Sequence, residues 1–161
     1  MAQNLVLDVK LNQDSYTSNN TNGLAAGTGG MVRFTVAEYR LPTGSNFAAQ
    51  LYQAPDGTYK IAYRGTVNPT GVGDAAMNAG IVAGRWTAEM GESVKFTLAA
   101  IQQVAIRNGI SFNDAKNLFT LTGHSQGGFE SELNAKFLAL AAPPSTALVR
   151  HGKSAARTGT A

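Results

Sequence analysis

Residues 119–128 read F-T-L-T-G-H-S-Q-G-G, and the reading of this stretch decides the fold. Apolar residues lead into Gly123-His124-Ser125-Gln126-Gly127, and an amphipathic segment follows. Strand, sharp turn and helix in that order make a nucleophile elbow with Ser125 at its tip. The spacing has a steric cause. A serine on so tight a turn is held in a strained backbone conformation, and its flanks must lack side chains so that strand and helix can approach; Gly123 and Gly127 meet that need. The helix then points its N-terminus at the hydroxyl, and the backbone N–H of Gln126 becomes available to an oxyanion. In a chain with 18 glycines the same pentapeptide also arises as a Gly-rich turn with an ordinary capping serine, so the residues upstream matter.

Residues 47–67 read F-A-A-Q-L-Y-Q-A-P-D-G-T-Y-K-I-A-Y-R-G-T-V, two β-rich runs joined at the turn residues Pro55-Asp56-Gly57. Together, Tyr59-Lys60-Ile61-Ala62-Tyr63-Arg64-Gly65-Thr66 and the elbow resemble the class 3 lipases, the fungal-lipase-like branch of the α/β-hydrolases. The likeness is closest to bacterial members often attached to calcium-binding repeats, and it covers roughly residues 45–130. It implies a partial α/β-hydrolase fold, a mixed or mostly parallel sheet flanked by helices, with the later strands missing. It also implies hydrolysis of a carboxylic ester of acylglycerol or a similar lipid. Ser125 would attack the carbonyl while the N–H groups of Thr66 and Gln126 hold the oxyanion. No cofactor and no metal are implied.

Length and composition bound this reading. A chain of 161 residues, 43% hydrophobic and 14% charged, makes one globular domain with a real core. No apolar run approaches the ~18 residues of a membrane span, and Leu5-Val6-Leu7 is too short for a secretory signal, which leaves the compartment open. Without cysteines there is no disulfide framework and no thiol nucleophile. Residues 1–142 carry ten basic and ten acidic side chains, so the net charge of +3 resides in Arg150, Lys153 and Arg157. That is a basic end rather than a basic face, which argues against nucleic-acid binding.

In order, residues 1–44 form an N-terminal segment, 45–142 the hydrolase-like core and 143–161 a basic tail that reads as disordered. Leu5, Leu7, Val9 and Leu11 favour a strand by period, but Val6 breaks the alternation and a helix stays open. Residues 13–30 are a loop rich in Asn, Ser, Thr and Gly. Residues 31–41 alternate as a strand, and 47–53 and 59–66 as a hairpin with Ile61 and Tyr63 on one face and Ala62 on the other. Asp74 is placed to cap a helix over 75–82. Residues 87–107 repeat Val94, Leu98, Ile101, Val104 and Ala105 at helical spacing, with a stop at Asn108-Gly109. The strand at 118–122 should be buried on both faces, as a central parallel strand is, within a βαβ arrangement. Beyond it, Phe129, Leu133, Phe137 and Leu140 mark an apolar helix stripe. Phe129 and Glu130 depart from the small residues the family usually carries there.

The tail matters for catalysis. A hydrolase of this type orders its triad as Ser, then Asp or Glu, then His, each on a further strand, and one more βαβ unit needs ~30 residues. No Asp follows Asp114, Glu130 and Glu132 sit too close to the nucleophile, His124 precedes it on the elbow, and His151 lies in the tail. Gly152-Lys153-Ser154 is no P-loop, since Ala147 stands where its leading glycine belongs. Three readings follow: a serine hydrolase impaired by the missing acid and base, a non-catalytic binding or structural module on the same scaffold, or a shortened reading of a longer enzyme. An apolar sheet edge beside the 118–122 strand would invite self-association.

Overall fold

The computed structural model describes residues 2–15, 30–65 and 86–140. The helix expected at 75–82, the tail and Thr66 lie outside these. Among the described residues, helix α1 (Ala2–Asp14) is followed by strands β1 (Val32–Phe34), β2 (Ala49–Gln53) and β3 (Tyr59–Tyr63). Helices α2 (Ala88–Asn108) and α3 (Phe112–Lys116), strand β4 (Phe119–Gly123) and helix α4 (Gln126–Leu140) complete the order. The four strands form one sheet in the order β1-β2-β3-β4. The arrangement is α/β, but the sheet is mixed, with β1–β2 and β2–β3 antiparallel and only β3–β4 parallel.

The hairpin explains the antiparallel β2–β3 pair. Pro55-Asp56-Gly57 closes β2 on β3, with Gly57 at φ 84°, and a turn this short allows only antiparallel neighbours. Asp56 fixes it by accepting from the Thr58 amide at 2.9 Å and the Thr58 hydroxyl at 2.6 Å. These bonds hold the Asp56 carboxyl below the ordinary carboxylate range. The return from β3 to β4 needs a crossover, within which α2 and α3 are described.

Strand alternation divides the core in two. Leu51, Tyr59, Ile61 and Tyr63 face Phe96, Ala100, Ile101 and Val104 of α2, with Ala115 and Leu138 in the same cluster. Ala62 and Tyr52 point the other way, toward Leu11 of α1 and Met31. Burying side chains the size of Leu51 and Ile61 contributes about 1.5–3 kcal/mol each. The expected split between Ile61 or Tyr63 and Ala62 is therefore present.

Several expectations change. Residues 2–14 resolve as helix, one of the two alternatives left open: Leu7 and Leu11, one turn apart, pack inward while Val9 is exposed. Polar contacts do the rest of the docking. Asp8 pairs with Lys60, Asp14 accepts from Arg33 at 2.5 Å and from the Tyr52 hydroxyl at 2.7 Å, and the Asn12 amide reaches the Thr122 hydroxyl at 3.4 Å. The strand expected over 31–41 shrinks to three residues, because Val36 and Tyr39 leave the sheet to pack against the main core. Among the described residues strand β4 ends the sheet and exposes Thr120, an edge there where a central strand was expected. Helix α3, which the sequence did not suggest, is a short turn capped by Ser111, whose hydroxyl accepts from the Asp114 amide at 3.1 Å.

Helix α2 matches its expected span, and its ends show why. Thr87 accepts from the Met90 amide at 3.3 Å, and Gly109, at φ 63°, closes the far end in the left-handed conformation.

Candidate active site

The parallel register pairs Tyr63 with Gly123, so both strands end at the same level. Arg64-Gly65 leaves β3 on the same side from which His124-Ser125 leaves β4. The two stretches singled out in the sequence are thus neighbours, although Thr66 itself lies outside the described residues. Arg64 is anchored there: its amide donates to the Ala48 carbonyl at 2.9 Å and its guanidinium to the Asn46 carbonyl at 2.7 Å.

Ser125 is the one non-glycine residue with positive φ among those described, at 55°. An L-residue in this region costs ~1–2 kcal/mol, so the surroundings must hold it. The two glycines are what permit it. A Cβ on Gly123 would lie 2.0 Å from the Gly127 carbonyl oxygen, and one on Gly127 would lie 2.2 Å from the Tyr63 carbonyl oxygen. Both obstacles are backbone, which has no rotamer to swing aside. The strand–turn–helix expected at 119–128 is therefore formed, with helix α4 beginning at Gln126.

From that start, the Gly127 amide bonds the His124 carbonyl at 3.0 Å and the Gly128 amide bonds the Ser125 carbonyl at 2.9 Å. Gln126 occupies the first helical position, where an amide makes no bond within its own helix and points along the axis toward the preceding turn. Its side chain is buried and donates to the Glu89 carboxylate, in the first turn of α2, at 3.2 Å. Ser125 and His124 are both exposed. Among the described residues neither the Ser125 hydroxyl nor the His124 ring makes a side-chain hydrogen bond.

Phe129, Leu133 and Phe137 of the apolar stripe expected on α4 are not its buried row. Its buried row is Gln126, Glu130, Asn134 and Leu138, while Phe137 is 41% exposed. This row meets a matching one on α2, Glu89, Ser93 and Thr97, all buried. The hydroxyls each do two jobs. Ser93 donates to the Met90 carbonyl at 2.9 Å and accepts from the Asn134 amide at 3.0 Å. Thr97 donates to the Ser93 carbonyl at 2.7 Å, which leaves the Tyr63 hydroxyl as donor in the 2.5 Å contact with Thr97. Burial drives the Tyr63 hydroxyl well above its ordinary pKa, and the Glu130 charge acts in the same direction. Nothing in the apolar periodicity signals this seam; the four-residue spacing of polar side chains on both helices does.

No group of three or more His, Cys, Asp or Glu side chains converges among the described residues, and no helix there is long and apolar enough to cross a membrane. No protein-family model, no curated protein and no solved structure matches this chain.

Proposed function

We propose that this chain carries the nucleophile and oxyanion elements of a carboxylic ester hydrolase of the α/β-hydrolase type, acting on acylglycerol or a similar lipid or small ester. The Ser125 hydroxyl attacks the ester carbonyl, and the N–H groups of Gln126 and Thr66 receive the oxyanion. The observation that carries this reading is the conformation of Ser125: a strained, exposed serine at φ 55° between two glycines that steric contact forbids to be anything else. An ordinary capping serine has no need of that strain, because caps form in the extended region. The end of β3 beside the elbow supports Thr66 as the second donor. Treatment with a fluorophosphonate followed by peptide mapping should label Ser125, and Ser125→Ala should take no label. Label retained in Ser125→Ala would sink the assignment.

A second reading is a hydrolase-like module that binds without catalysis. It is favoured by the surroundings of the Ser125 hydroxyl, which among the described residues makes no hydrogen bond to a histidine. A folded protein that resists the fluorophosphonate, yet retains binding to a lipid or ester ligand, would select this reading.

A further inference from the structure

The strain at Ser125 needs an opposing hold, and the glycines only make room for it. The first side chain able to supply that hold is Gln126, and it is tied across 37 residues of sequence to Glu89 at 3.2 Å. Both residues are 7% exposed, so water does not compete strongly for the bond. Glu89 stands in the first turn of α2, whose N-terminal end favours a negative side chain. That helix end is itself fixed by the Thr87–Met90 capping box. One turn further along, the Asn134–Ser93 bond locks the same two helices but touches nothing at the elbow.

We propose that Glu89 is a positioning residue: by holding the Gln126 side chain, it orients the Gln126 backbone amide and keeps Ser125 in its strained conformation. The proposal rests on Ser125 being the nucleophile and deepens that reading. It assigns the geometry of the oxyanion site to the first turn of α2 as well as to the elbow.

The test is the second-order rate of fluorophosphonate labelling at Ser125, measured beside the thermal midpoint. Glu89→Met removes the acceptor at similar volume and should slow labelling by roughly tenfold to a hundredfold, the range expected when a donor is misplaced. Glu89→Gln retains an acceptor oxygen and should label close to the wild-type rate. The exchanged pair Glu89→Gln with Gln126→Glu reverses donor and acceptor and should also recover. Ser93→Ala weakens the same helix contact away from the elbow; it should lower the midpoint without slowing labelling. Should Glu89→Met fail to fold, Gln126→Met, which retains the backbone amide, should show the same slowing. Labelling at the wild-type rate in Glu89→Met or Gln126→Met overturns the proposal while leaving the nucleophile assignment intact. So does equal slowing in Ser93→Ala. A folded wild-type chain that takes no label at Ser125 overturns both.

Discussion

Gly127 lies so close to Tyr63 that a Cβ on it would sit 2.2 Å from the Tyr63 carbonyl oxygen and 2.8 Å from the carbonyl carbon. This approach joins the helix after the elbow to the strand beside it, and it makes a sharp contrast with the next residue. A Cβ on Gly128 would come no nearer than 3.4 Å to any atom, an ordinary contact. Gly127→Ala and Gly123→Ala should each destabilise the fold by about 1–3 kcal/mol or more, as overpacking against backbone does. Gly128→Ala, within a helix, should be neutral or gain ~0.5–1 kcal/mol. Urea unfolding midpoints decide this: equal midpoints for the alanine variants at 127 and 128 would mean that the close approach is absent.

Ser125 at φ 55° implies a trade between stability and chemistry. Glycine enters the left-handed region freely, whereas alanine carries the full steric penalty there. Ser125→Gly should therefore be more stable than Ser125→Ala by about 1 kcal/mol. Both should lose fluorophosphonate labelling. If the two variants unfold at the same denaturant concentration, the backbone at 125 is unstrained and the argument for a built nucleophile loses its main support.

How much of this was legible in the sequence depends on which side chains face inward. Helix α2 was legible because Val94, Ile101, Val104 and Ala105 are both periodic and buried. The hairpin was legible because Pro55-Asp56-Gly57 allows little else, and the elbow because two glycines at fixed spacing have a steric reason. The packing of α4 was not. Its inward row is mostly polar, and Glu130 and Asn134 read as solvent-facing until the hydroxyls of α2 are set against them. Helix α1 was ambiguous for a related reason: Leu7 and Leu11 suit either period, and the contacts of Asp8, Asn12 and Asp14 depend on a sheet formed by distant residues. Thr66, expected to supply an oxyanion donor, lies outside the described residues.

The Tyr63 hydroxyl gives the fold a dependence on alkaline pH. Burial raises its pKa in the folded state, so the phenol stays neutral there at pH values where an unfolded tyrosine, with a pKa near ~10, has ionised. Its contribution to stability is fully present below pH ~10 and falls as the pH rises beyond it, because only the unfolded chain releases the proton. The slope is about 1.4 kcal/mol per pH unit for this one group. Tyr52 and Tyr39 are raised in the same direction, first by burial, and steepen the decline. Tyr63→Phe should lose roughly 0.5–1.5 kcal/mol at neutral pH with the Thr97 hydrogen bond. It should also flatten the decline above pH ~10. Denaturation series at neutral and alkaline pH that gave wild type and Tyr63→Phe identical slopes would show that Tyr63 is not held neutral.

Ser125, which bonds no base among the described residues, should turn over esters slowly. His124 is the sole histidine among the described residues; it is exposed and directly precedes Ser125 at the turn. Glu89 accepts from the Gln126 side chain, and Glu130 is buried in the α2–α4 seam. An elbow with oxyanion donors but no base retains ~10³–10⁴ over the uncatalysed rate, far short of a working hydrolase. Release of the phenol from short-chain aryl esters should therefore run well below ~1 per second, and His124→Ala should leave it unchanged. His151 lies outside the described residues and is the other histidine of the sequence. Its substitution provides the decisive comparison. Turnover of ~1 per second or faster that His151→Ala abolishes would identify His151 as the general base. The elbow would then belong to an enzyme that is catalytically complete.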